Sequence, residues 1–122
     1  MPMIVKNTGQ ILAEEIETAD SFWSRFRGLM FKWSFEEGQA LLFKFSKPRK
    51  FRIHTFFVFF SIDLVYLSKD FEVLEIKEKL SPWRLYKPSV EANYLLELPG
   101  GKVEKADLEE GDTLEFRKSE SH

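Results

Sequence analysis

The stretch DLVYLSKDFEVLEIKEKL, residues 63–80, runs from branched and aromatic residues into a short polar break at Ser68-Lys69-Asp70 and back again. Two β-prone runs divided by a few turn-forming residues read as a hairpin, because small polar side chains stabilise tight turns and branched ones fit a pleated surface. In the second run Glu75, Lys77 and Lys79 give the strand one wet face. No helical period fits these residues, so the chain is a β protein unless its flanks say otherwise.

The flanks agree. ALLFKF (40–45), FRIHTFFVFF (51–60), NYLLELP (93–99) and TLEFR (113–117) read as further strands, and MIVKN (3–7) with ILAEEIETA (11–19) as a hairpin about Thr8-Gly9-Gln10. Phe56–Phe60 shows no polar alternation, which predicts a strand buried on both faces or a bulge at a packed corner, with its phenylalanines in the core. One segment changes period. In SFWSRFRGLM (21–30), Phe22, Trp23, Phe26, Leu29 and Met30 share an arc of about 120°, the pattern of a short amphipathic helix. LSPWRLYKPSVEA (80–92) reads as an ordered loop, and KVEKADLEEGD (102–112) as one or two helical turns. The expectation is a single mainly β domain over 1–122: an antiparallel β-sandwich or small jelly-roll-like barrel with one short amphipathic helix.

Composition bounds the chemistry. The 122 residues contain no cysteine, which excludes disulfides, thiolate nucleophiles and Cys-ligated metals. Thirteen phenylalanines predict an aromatic-rich core, and the scarcity of Asn and Gln beside abundant Lys and Glu resembles a thermophile's composition. Net charge is −2 but unevenly spread: residues 25–52 hold eight basic and two acidic side chains, residues 88–122 four basic and nine acidic. No run approaches the roughly 20 apolar residues of a membrane span, and MPMIVKNTGQ lacks the form of a signal peptide. A cytoplasmic protein without membrane attachment is expected.

Several side chains are chemically eligible for a site. His54 with Asp63 offers an imidazole and a carboxylate, the elements of a general base. Yet no G-x-S-x-G elbow supplies a nucleophile, and the second histidine is the distant His122, so neither a catalytic set nor a metal site is assigned. Glu97, between Leu96 and Leu98, is either solvated or paired with Arg25 or Arg27 across the helix. Trp83, with Arg84 and Tyr86, sits on a proline-bearing loop as a stacking platform or as a pin for that loop. Lys44, Lys47, Arg49, Lys50 and Arg52 form a basic strip, read as a solvated connection or as a surface for phosphates. Gly100-Gly101-Lys102 lacks the spacing of a phosphate loop, so no cofactor is expected.

Taken in order, Arg25-Phe26-Arg27-Gly28-Leu29-Met30, Leu41-Leu42-Phe43, Ile62-Asp63 and its following strand, Tyr94 to Gly101, and Glu110-Gly111-Asp112 resemble the family known as domain of unknown function 192, over about residues 18–117. Ile53-His54-Thr55 replaces the commoner W-M-x-N-T phrase, Ser61 stands where proline is frequent, and Gly100 where alanine is usual. The resemblance implies a compact β-rich, jelly-roll-like domain with a short helix. It brings no agreed activity, and its members include exported and cytoplasmic proteins.

Three functional expectations result. The first is a non-enzymatic domain binding a small anionic or sugar-like ligand or a partner, with Arg25, Arg27, His54, Asp63, Trp83 and Glu97 as candidate contacts. The second is nucleic-acid binding through the 44–52 strip, with Phe51, Trp83 and Tyr86 available to stack. The third is an enzyme using His54 and Asp63.

Overall fold

A computed structural model of the chain describes residues 3–5, 8–19 and 35–116. Its elements are β1 (Met3–Val5), β2 (Ile11–Ala13), β3 (Glu15–Ala19), β4 (Gln39–Arg49), β5 (Ile53–His54), β6 (Ile62–Leu67), β7 (Val73–Leu80), β8 (Leu85–Tyr86), β9 (Ala92–Pro99), α1 (Lys102–Lys105) and β10 (Leu114–Phe116). The amphipathic helix expected at 21–30 falls outside the described residues. The hairpin read at 63–80 is present: β6 and β7 pair antiparallel, and Ser68 closes the turn through backbone bonds with Phe71 and Glu72.

Five strands form the central sheet in the order β3-β4-β9-β6-β7. All its pairings are antiparallel except β3 with β4. That parallel pair arises because the expected strand 11–19 breaks at Glu14. Here the amides of Glu14 and Glu15 both donate to the Gly38 carbonyl at 2.8 Å, and the chain leaves one sheet for another. β10, β1 and β2 form the second sheet, and β5 pairs with β8 as a two-stranded ribbon. The described sheets are open rather than closed into a barrel.

Alternation along the central strands directs side chains to two cores. Leu42, Val65, Leu96 and Leu98 face β2, α1 and β10, meeting Leu12, Val103, Leu108 and Leu114. Leu41, Phe43, Leu64, Tyr66 and Leu95 face the other way and meet Ile53 and Val58 of the segment carrying the ribbon. β6 and β9 lie between these covers, which is why β6 is buried at all six positions. Each such leucine contributes about 1.5–3 kcal/mol through the apolar area it removes from water.

Two expectations about the core need correcting. Among the described residues the core is built mainly of leucine and other aliphatic residues, and Phe43 and Phe45 are the buried phenylalanines. The segment 51–60 is not a strand buried on both faces. Only Ile53–His54 is extended, and Phe56, Phe57 and Phe59 are 42–44% exposed while Val58 and Thr55 point inward. The cause is a turn built around Thr55, described next.

Candidate functional site

The ribbon is held by one threonine. Thr55 is wholly buried, and its hydroxyl donates to the Ser81 carbonyl at 2.7 Å while accepting from the Arg84 amide at 2.8 Å. Its own amide donates to the Arg84 carbonyl, and its carbonyl accepts from the amides of Trp83 and Val58. Two turns, 55–58 and 81–84, are thereby locked together. Phe57 and Trp83 occupy the left-handed region at φ 61° and 60°. That conformation costs a non-glycine residue roughly 1–2 kcal/mol, and the Thr55 bonds offset it.

Register sets what the ribbon presents. Ile53 opposes Tyr86 and His54 opposes Leu85. Ile53 is buried and Tyr86 half-buried, whereas His54 and Leu85 are exposed, so the former pair looks inward and the latter outward. Arg52 and Lys87, one step beyond, are exposed as well. At the ribbon's tip the His54 ring stacks on Phe56 at 5.1 Å, Phe56 lies 5.8 Å from Trp83, and Phe57 meets Trp83 edge-on at 4.8 Å. The Phe56 amide donates to His54 Nδ1 at 3.3 Å. Trp83 is 53% exposed and Leu85 55%. Large apolar side chains so open to solvent, grouped on one ribbon, are the usual mark of an interaction surface.

The other sequence-nominated residues divide sharply. Asp63 is fully buried; Oδ1 accepts from the Lys79 and Gly101 amides at 2.8 and 3.2 Å and Oδ2 from the Val103 amide at 2.8 Å. It ties β6 to β7 and to the start of α1, and no hydrogen bond among the described residues joins it to His54. Glu97 points into the second core from the centre of β9, level with Leu41 and Leu64. Burial pushes its carboxyl up to about 8, and no hydrogen bond among the described residues reaches it. Arg25 and Arg27 lie outside the described residues, so their pairing with Glu97 is not placed.

Phe51 and Tyr86, nominated for stacking, are committed elsewhere. The Phe51 ring packs on Phe45 at 4.6 Å and under the Arg49 guanidinium at 5.6 Å. Tyr86 donates to Glu75 Oε2, and Ser89 donates to Glu75 Oε1 through its amide at 2.9 Å and its hydroxyl at 2.8 Å. Burial opposes ionisation of Glu75, but these bonds and one from the Val90 amide hold its carboxyl below the usual range. Burial, joined by the hydrogen bond to Glu75, pushes the Tyr86 phenol up to about 12. The Tyr66 phenol, raised further by burial and by its neighbours Tyr86, Glu97 and Glu75, donates to the Phe51 carbonyl at 2.9 Å. This network fastens the ribbon to the sheet.

The basic strip is not a loop: β4 continues through it to Arg49, with a register shift between Lys44 and Arg49. Lys44, Lys47, Arg49, Lys50 and Arg52 are all exposed. Residues missed by sequence reasoning are Thr55, Phe56 and Leu85. A lone hydroxyl residue before four aromatics was the available signal for the first. Among the described residues no three His, Asp or Glu side chains gather as a metal site requires, and no helix is long and apolar enough to cross a membrane.

Comparison with known proteins gives a consistent picture. The UPF0127 protein of Pyrococcus horikoshii is 37% identical over 93% of this chain and 98% of its own length. That of Thermococcus sibiricus is 31% identical over 97% of this chain and 76% of its own. A protein of unknown function from Novosphingobium aromaticivorans shares the fold with a TM-score of 0.85 at 19% identity, covering 95% of this chain and 84% of that one. A Sinorhizobium meliloti protein proposed to be a transcription regulator does so with a TM-score of 0.83 at 23% identity, covering 93% and 89%. The family model of DUF192, described as an uncharacterized ACR, matches residues 3–116, and the chain belongs to that family.

Proposed function

We propose that this protein is a non-enzymatic binding domain whose site is the outward face of the β5–β8 ribbon. Its ligand combines a flat ring with negative charge. The observation that carries the reading is the exposed stack of His54, Phe56 and Trp83 on a ribbon fixed by the buried Thr55. Aromatic rings held rigid in solvent bind other rings at little entropic cost. Arg52, Arg84 and Lys87 surround them with positive charge. Asp63 and Glu97 leave the proposed site because both are buried within the sheet; Arg25 and Arg27 stay in it as proposed contacts.

An enzyme using His54 and Asp63 has less support, since the Asp63 carboxylate is taken up by three backbone amides. A cytoplasmic location is part of the proposal, supported by the absence of cysteine in a chain of this size. Thermal-shift measurements with nucleotides, sugar phosphates and neutral sugars test the reading. Ring-bearing anions should raise the melting temperature of the native chain and of Trp83→Phe, and leave Trp83→Ala unmoved. Equal shifts in Trp83→Ala, or none in the native chain, would refute it.

A further inference from the structure

We infer that the ligand is single-stranded nucleic acid, its bases stacked on Phe56 and Trp83 and its phosphates following the cations from Arg84 and Lys87 to the end of β4. The inference rests on the binding site proposed above and names the ligand class for it. What points to it is the juxtaposition of solvent-exposed aromatic side chains, Phe56 and Trp83, with a stretch of chain empty of acids. From Lys44 to Ile62 there is no Asp or Glu, and none from Leu80 to Val90, although the whole chain is net negative. The register of the ribbon brings these two acid-free segments side by side. Lys47, Lys50, Arg52 and Lys87 are exposed, and none forms an ion pair among the described residues, in contrast with Lys79, Lys102 and Lys105, which pair with Glu104 or Glu37. Among the described residues, carboxylates thus neutralise lysines on the α1 side and none neutralises those on the ribbon side.

The order of groups matters as much as their charge. His54, Phe56 and Trp83 are in ring contact in that order at the tip, and exposed cations follow in the chain along the ribbon, at Arg52 and Lys87, and at the end of β4. Residues 47–52 can span at most about 20 Å, so the run meets no more than on the order of three phosphates. A two-ring platform beside such a track takes a strand of about four nucleotides, the lower end of known single-strand sites. A duplex hides its base faces and gains nothing from the rings. An anionic lipid surface would share the charge, but its acyl chains would gain nothing from flat rings set one beside the next.

Fluorescence anisotropy of labelled oligo-dT and oligo-U of about 15 nucleotides is the direct test. Binding should weaken with salt, with a slope of log K on log salt of about −2 to −4, and Lys50→Ala or Lys87→Ala should each reduce that slope by about 0.7. Trp83→Ala should lose about tenfold to a hundredfold in affinity with Trp83→Phe largely restoring it. Melting curves would confirm that each variant is folded. Absence of binding at low salt, equal binding of duplex, or binding confined to phosphatidylserine vesicles would overturn the inference. If small ring-bearing anions still shift the melting temperature in a Trp83-dependent way, only the polymer fails and the binding reading stands. If they do not, both fail.

Discussion

Among the described residues three carboxylates are buried, and their surroundings assign them different work. Asp63 is satisfied by three backbone amides and Glu75 by Tyr86 and Ser89, so each acts as a joint between elements. Glu97 has no such partner among the described residues and carries a proton at neutral pH, its carboxyl raised from 4.5 to about 8 by burial. The folded state then binds more protons than the unfolded one between those two values. The stabilisation is complete below the lower value and is lost as pH rises through the upper, by at most about 1.4 kcal/mol per pH unit. Urea melts across this window should show Glu97→Gln with a flatter pH profile than the native chain; parallel profiles would place the effect elsewhere. At Thr55 the expected consequence is structural. Thr55→Val removes the buried hydroxyl that bonds the Ser81 carbonyl and the Arg84 amide and should cost about 1–3 kcal/mol, whereas His54→Ala should change stability by no more than about 0.5 kcal/mol. Equal losses at the two positions would show that the Thr55 hydroxyl holds the ribbon no more than the His54 ring does.

Legibility varied with how local the causes were at the level of elements. The β6–β7 hairpin was readable because its turn residues and its branched strands are contiguous. The segment 51–60 was not, because its course depends on bonds from Thr55 to Ser81, Trp83 and Arg84, and no pattern within the segment reveals them. Its phenylalanines therefore looked like core and are largely surface. The split of 11–19 into β2 and β3 has a similar origin in the distant Gly38 carbonyl. Of the candidate site, His54 and Trp83, which the sequence nominates, share the ribbon, whereas Asp63 and Glu97, nominated for their charge, are buried in the interior. One pair of family departures is explained by contact. A Cβ at Gly100 would come within 2.5 Å of Ser61 Oγ and 3.0 Å of its carbonyl oxygen, so serine at 61 and glycine at 100 belong together. Gly100→Ala should destabilise by about 1–3 kcal/mol, and Ser61→Ala in the same chain should recover part of that loss. Strict additivity in a double-mutant cycle would refute the coupling.

For the whole molecule, the decisive feature is that one sheet serves two cores. β9 shows it best: Leu95 and Leu96 are adjacent and both wholly buried, yet they face opposite covers. Leu96 belongs with α1, β2 and β10; Leu95 belongs with Phe43, Tyr66 and the ribbon segment. Neither cover is extensive: α1 has four residues and the ribbon strands two each. Both depend on the central sheet for the apolar surface they bury, and that sheet in turn depends on both to keep β6 and β9 dry. Loss of either core should therefore unfold both. Leu95→Ala and Leu96→Ala should each cost about 2–5 kcal/mol, and should lower a single calorimetric transition that keeps its van't Hoff and calorimetric enthalpies equal. Because the two side chains share no core partner, the double variant should lose close to the sum of the two. A Leu95→Ala protein that released the ribbon in a separate, earlier transition would show that the ribbon segment is an appendage to the fold and not the cover of one of its two cores.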